Sequence, residues 1–210
     1  MIVCEAKNIA VLLNPKTGTS TLVNIFKKLN VDKCNHSHDI PINVSDYQTF
    51  CFYRNPVDRF VSAVRYFKRK HYPELLHMAY GNDIKVSCLT RTPYNDLSDS
   101  IKAAIEEISI DDMLTKNMIQ SYNILFKKQT YWLDSADVCL LNYHDYDNEV
   151  RKLMVQFDYY DFDIPRLNES VKISEYDQIN NDTIIKIKDL YQEDYDFFAS
   201  KGITFSNTLV

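Results

Sequence analysis

A three-layer α/β/α fold around a central, mainly parallel sheet is the architecture this sequence predicts, on three observations. Short apolar runs of strand length stand at residues 8–13 (NIAVLL), 49–53 (TFCFY) and 137–141 (DVCLL). Each is followed by apolar residues at i, i+3, i+4, i+7, the spacing of one helix face. The first two junctions carry helix-start residues, so the chain alternates strand, tight turn and helix.

The first strand ends at Asn14-Pro15, and Thr19, Ser20 and Thr21 open a helix whose buried face is Leu22, Ile25, Phe26 and Leu29. After the second strand Asn55 suits an N-cap and Pro56 the first helical position, where its missing N–H costs nothing. Val57, Phe60, Val61 and Val64 mark the core face of that helix, while Arg59, Ser62 and Tyr66 share another. Residues 72–100 are polar and read as a long loop or lid. Ile101, Ala104, Ile105 and Ile108 predict a helix, and a further one covers 111–127. Val150, Leu153, Met154 and Phe157 mark the helix after the third strand. Residues 158–180 read as irregular. A last helix spans about 182–199 and stops at Gly202, a C′ residue.

At 210 residues the chain reads as a single domain, 1–210. Its 13% aromatic content excludes a disordered chain. The net charge, 24 − 29 = −5, argues against a nucleic-acid coat. Charge is uneven: residues 1–130 hold 17 basic and 13 acidic side chains, a net of +4, and residues 131–210 hold 7 and 16, a net of −9. An anionic ligand therefore belongs to the first part. Cys4, Cys34, Cys51, Cys88 and Cys139 are odd in number and irregularly spaced, which suits reduced thiols. No apolar run is long enough to span a membrane and no signal peptide is visible, so a cytoplasmic location is expected.

Residues 14–21 read NPKTGTST between a strand and a helix. Backbone N–H groups at a helix start favour an anion, Gly18 allows close approach, and Lys16 adds a full charge. Thr17, Thr19, Ser20 and Thr21 add hydroxyls, and the set suits a phosphate or sulfate. The competing reading is a turn whose hydroxyls only cap the helix. The lysine precedes the only glycine, so this is not a Walker A loop. Residues 54–62 read RNPVDRFVS, with Arg54 at the carboxyl end of a strand and Ser62 two turns into a helix. That pair suits a second phosphate; the competing reading is a solvated basic face.

Together, PKTGTST after one strand and RNPVDRFVSA after another resemble the two cofactor signatures of sulfotransferases that use 3′-phosphoadenosine 5′-phosphosulfate (PAPS), in the carbohydrate (Golgi-type and bacterial, family 2-like) branch. The resemblance implies the P-loop-like sulfotransferase fold. It assigns Lys16, Thr17, Gly18, Thr19, Ser20 and Thr21 to the 5′-phosphosulfate, and Arg54 and Ser62 to the 3′-phosphate. It implies transfer of a sulfuryl group to a hydroxyl, of a glycan in that branch, with Lys16 bridging to the leaving phosphate. Weaker likenesses are NMIQSY at 117–122, RLNES at 166–170 and LYQEDYDFF at 190–198. Relative to the Golgi enzymes, the protein is expected to be without their anchor and stem.

Sulfuryl transfer needs a base for the acceptor hydroxyl. Residues 35–39 read NHSHD, and glycosaminoglycan 2-O-sulfotransferases carry a similar H-x-H in this interval. The resemblance assigns His38 as base and His36 as its support or alternative. Two other readings stand beside it: a pair of solvated loop histidines, and a metal site from alternating Cys34, His36 and His38, for which no fourth ligand is evident. The chemistry itself requires no metal. His71 and His77 are expected on the lid and His144 in a loop; Glu74 and Asp83 are further acceptor-binding candidates. Tyr66, Tyr72 and Trp132 suit stacking on adenine or sugar, or core packing. The alternative functions are a nucleotide kinase-like phosphoryl transferase and a non-catalytic anion- or glycan-binding protein on the same fold.

Overall fold

Five strands form one open mixed sheet in the order β3-β1-β2-β4-β5. They are β1 (Ile2–Cys4), β2 (Ile9–Leu12), β3 (Lys33–Cys34), β4 (Gln48–Tyr53) and β5 (Val138–Asn142). The computed structural model describes residues 1–31, 33–34, 37–39, 44–81, 92–115, 123–134, 137–165 and 179–205. The three strands expected from sequence lie side by side and parallel: Leu12 pairs with Cys51, and Tyr53 with Asn142. Two short strands extend the sheet antiparallel, β1 against β2 and β3 against β1. The sheet is therefore mixed where a mainly parallel one is expected. Strands of two and three residues are too short to show a period in sequence.

Both faces of the sheet are covered. On one, α1 (Thr19–Lys28) and α8 (Tyr146–Val155) bury Leu22, Phe26, Leu153 and Met154 against Val11, Phe52 and Leu141. On the other, α7 (Thr130–Leu133) and α10 (Gln192–Ser200) place Trp132 and Phe198 against Leu12, Cys51 and Tyr53. These are the three layers.

A separate helical cluster surrounds α2 (Pro56–Lys70): α3 (Tyr72–Tyr80), α4 (Asp99–Glu107), α5 (Ile110–Thr115), α6 (Asn123–Phe126) and α9 (Asn181–Leu190). Here two expectations are corrected. Residues 72–80 form a helix rather than loop or lid, because Tyr72, Leu75, Leu76 and Ala79 repeat at i, i+3, i+4, i+7 and the first three are buried. The last helix is two, α9 and α10, broken at Tyr191 (φ −107°, ψ 22°). That break turns the Tyr191 ring fully into the core. Gly202 has φ 73° just past the C-cap of α10, as its C′ role requires. No helix among the described residues is long and apolar enough to cross a membrane.

Candidate functional site

The carboxyl ends of β2, β4 and β5 lie abreast, and each continues into a segment bearing polar or cationic side chains. Ligands of open α/β sheets gather at such ends. After β2 comes the loop from Asn14 to Gly18, after β4 comes Arg54, and after β5 come Tyr143 and His144.

The loop turns sharply at two left-handed residues, Lys16 (φ 67°) and Gly18 (φ 80°). A lysine in that region is uncommon and is held by its surroundings. Arg54 Nη1 donates to the Lys16 carbonyl at 3.3 Å, and the Lys16 ammonium lies 4.4 Å from the centre of the Tyr66 ring. Burial, with the neighbouring charge of Arg54, pushes the Lys16 amine down to about 8. The Arg54 guanidinium stacks on Tyr143 at 4.7 Å, and its Nε is buried with no hydrogen-bond partner among the described residues. Ser62, one turn before Tyr66 on α2, is half-buried on the stripe that faces Lys16.

The hydroxyls divide by role. Thr17 is buried and donates to the Asn14 carbonyl at 2.7 Å, closing the loop on itself. Thr21 is buried and hydrogen-bonds Tyr146. Thr19 is also buried, while Lys16, Gly18 and Ser20 keep partial exposure. The reason for Gly18 differs from the sequence reading. A Cβ there would meet the Tyr146 ring at 2.3 Å, so the close approach is made by this tyrosine, whose hydroxyl donates to the Gly18 carbonyl at 2.8 Å.

Behind the loop stands Gln129, which the sequence does not single out. Its Oε1 accepts from Asn14 Nδ2 at 2.9 Å and from Arg54 N at 3.1 Å, and its Nε2 donates to Arg54 O at 2.8 Å. Gln129 is held in turn by α10: Asp194 is buried and accepts from the backbone N–H groups of Gln129 and Thr130, at 2.9 and 3.0 Å. Tyr191 donates to the Phe126 carbonyl at 2.7 Å. The LYQEDYDFF segment thus props the turn that clamps loop and β4 together. Arg59, 0% exposed, does the same from α2 by donating to the carbonyls of Leu125 and Lys127. With Arg65 and Lys68 also buried, the basic run of α2 is not a solvated face.

His38 lies beside the end of β2. Its Nδ1 donates to the Leu13 carbonyl, which can only accept. Its own carbonyl accepts from the indole N–H of Trp132 at 2.7 Å. Trp132 and Tyr72 are buried and packed, which removes them as stacking platforms; Tyr66, 39% exposed, is on the cleft. Glu74 is exposed on α3. His71 closes α2 and stacks on Phe67, and burial lowers its basicity. His36, Asp83, residues 117–122 and residues 166–170 lie outside the described residues. Among the described residues no group of three or more metal-ligating side chains forms.

Sequence reasoning also passes over Asp58 and His144. Asp58, one turn after Arg54, is 2% exposed; its Oδ2 lies 3.7 Å from His144 Nε2 and its Oδ1 has no hydrogen-bond partner among the described residues. Burial pushes its carboxyl up, against the opposing pull of Arg54 and His144. The signal for His144 was positional: it follows the third parallel strand, as Lys16 and Arg54 follow the first two.

Compared with known family models, with curated proteins and with solved structures, the chain matches none.

Proposed function

We propose that this protein is a PAPS-dependent sulfotransferase that moves a sulfuryl group to a hydroxyl, of a carbohydrate in the branch its motifs resemble, on the P-loop-like sulfotransferase fold. The observation that carries the reading is the meeting of Lys16 and Arg54 at adjacent parallel strand ends, where the Arg54 guanidinium donates to the Lys16 backbone carbonyl at 3.3 Å and both residues are half-buried. Holding like charges close together in a half-buried cleft is unfavourable unless an anion joins them. The buried, unpartnered Nε of Arg54 fits a phosphate oxygen.

Bound PAPS would supply the activated sulfuryl group. Lys16, Ser20 and the first N–H groups of α1 hold the 5′-phosphosulfate, with Lys16 stabilising the oxygen that becomes anionic. Thr17, Thr19 and Thr21 set the shape of the loop from behind. Arg54 and Ser62 hold the 3′-phosphate. His38, held by the Leu13 carbonyl, is the base for the acceptor's hydroxyl proton.

Calorimetry with adenosine 3′,5′-bisphosphate against ATP and ADP tests the assignment. Tight binding of the 3′-phosphorylated nucleotide alone is expected. Preference for ATP would favour a phosphoryl transferase and overturn it.

A further inference from the structure

We infer that His144, seated on the buried carboxylate of Asp58, is a second ligand for the terminal phosphate that Arg54 binds, and that it sets the preference for a 3′-phosphorylated nucleotide. The inference rests on the nucleotide reading of the cleft given above.

Four observations lead to it. His144 follows β5 at the same sheet edge from which Arg54 follows β4, with Tyr53 and Asn142 paired just before them. The Asn142 side chain accepts from the His144 backbone N–H at 3.0 Å, which fixes the turn that carries the ring. The imidazole is 44% exposed, while the carboxylate behind it is almost wholly buried. And Asp58 Oδ1 and Arg54 Nε are both buried in the same neighbourhood without a hydrogen-bond partner among the described residues. A buried carboxylate with an orphan oxygen is costly and calls for a cation beside it.

An imidazole with one nitrogen on a carboxylate can offer its other nitrogen to an anion. In the charged form the ring pairs with Asp58, 3.7 Å from its Nε2, and its other nitrogen donates to a phosphate oxygen. The ring then relays the negative charge of Asp58 into positive charge at the ligand. Tyr143, stacked on the Arg54 guanidinium, walls the same position. The charged and titratable groups around His144 are Asp58 from α2, Arg54 from the end of β4 with Lys16 beyond it, and Tyr143 and Asp145 on its own segment. Tyr195 from α10 adds its field at Asp58.

The test is calorimetry of adenosine 3′,5′-bisphosphate and 5′-AMP on the full chain across about pH 5 to 8, where imidazoles gain charge. It uses the wild type, His144→Gln and Asp58→Asn. His144 is half exposed, so its replacement leaves the core intact. For the bisphosphate, His144→Gln is expected to lose roughly tenfold or more in affinity at the acid end, the worth of a charge-assisted hydrogen bond. It is also expected to lose the wild type's proton uptake, read from heats in two buffers of different ionisation enthalpy. Asp58→Asn should behave in the same way, and 5′-AMP should show neither effect. The phosphate's own titration acts in the opposite direction and is common to all variants. If the wild type prefers the bisphosphate but His144→Gln binds it with unchanged affinity and unchanged proton uptake, the role of His144 is overturned while the cleft reading stands. If the wild type shows no preference for the bisphosphate over 5′-AMP, the cleft reading itself fails and the inference goes with it.

Discussion

The side-chain amide of Gln129 pairs with both backbone groups of Arg54, accepting from its N–H at 3.1 Å and donating to its C=O at 2.8 Å. It does for one residue past the end of β4 what a neighbouring strand would do. The same Oε1 also takes the amide of Asn14, so one side chain fixes the roots of both the β2 loop and the guanidinium.

Gln129→Leu keeps the volume and removes every one of these bonds. It leaves buried donors and an acceptor unmet, each costing about 1–3 kcal/mol. A loss of about 3 kcal/mol in urea unfolding is expected, together with weakened bisphosphate binding. A variant as stable as wild type would show that the clamp is dispensable.

Gly18→Ala meets two obstacles: a φ of 80° and the Tyr146 ring 2.3 Å from the new Cβ. Destabilisation of about 1–3 kcal/mol is expected. Combining it with Tyr146→Ala removes the clash but not the backbone strain. The double-mutant cycle should therefore show positive coupling, and additive effects would place the whole cost in the backbone.

Lys16 carries a pH signature. Its folded value near 8 lies below the ordinary 10.5, so between these the unfolded chain holds the extra proton. Stability from this group therefore rises with pH across that window. Lys16→Met is expected to flatten the rise. In the wild type, affinity for inorganic sulfate should fall as pH passes about 8, the point at which the amine loses its charge. Lys16→Ala should depress turnover more than nucleotide binding, because its charge matters most as the leaving oxygen becomes anionic.

Arg54→Ala removes charge-assisted hydrogen bonds worth roughly 1.5–3 kcal/mol each. Affinity for adenosine 3′,5′-bisphosphate is expected to drop at least about tenfold, with 5′-AMP little changed. Equal losses for both, measured by calorimetry, would contradict the assigned role.

His38→Ala is expected to lose about 10²–10⁴-fold in turnover, the usual worth of a positioned base, while still binding the bisphosphate. A screen of sugars with labelled PAPS supplies the acceptor. Unchanged turnover would move the base elsewhere.

The strands and helices that frame the cleft were legible because each is long enough to show a period: residues 9–12, 48–53 and 138–142, and the helix faces led by Leu22, Val57 and Val150. Lys16 and Arg54 were legible because each sits in a recognisable strand-to-helix junction. β1 and β3 were not, since two or three residues carry no pattern. The α3 repeat at Tyr72, Leu75, Leu76 and Ala79 was present and was masked by the polar residues around it. Gln129, Tyr146 and the Asp58–His144 pair act across 75 or more positions of chain, and only the folded sheet brings them together.

The prop supplied by α10 has a consequence for biosynthesis. The loop, β4 and α2 are all made within the first 70 residues, yet the turn at Gln129 and Thr130 gets its carboxylate cap only from Asp194. A chain still on the ribosome with residue 194 inside the tunnel therefore has the β2 loop but no finished clamp. The clamp between the β2 loop and the end of β4 is completed late, only once α10 has closed over the sheet.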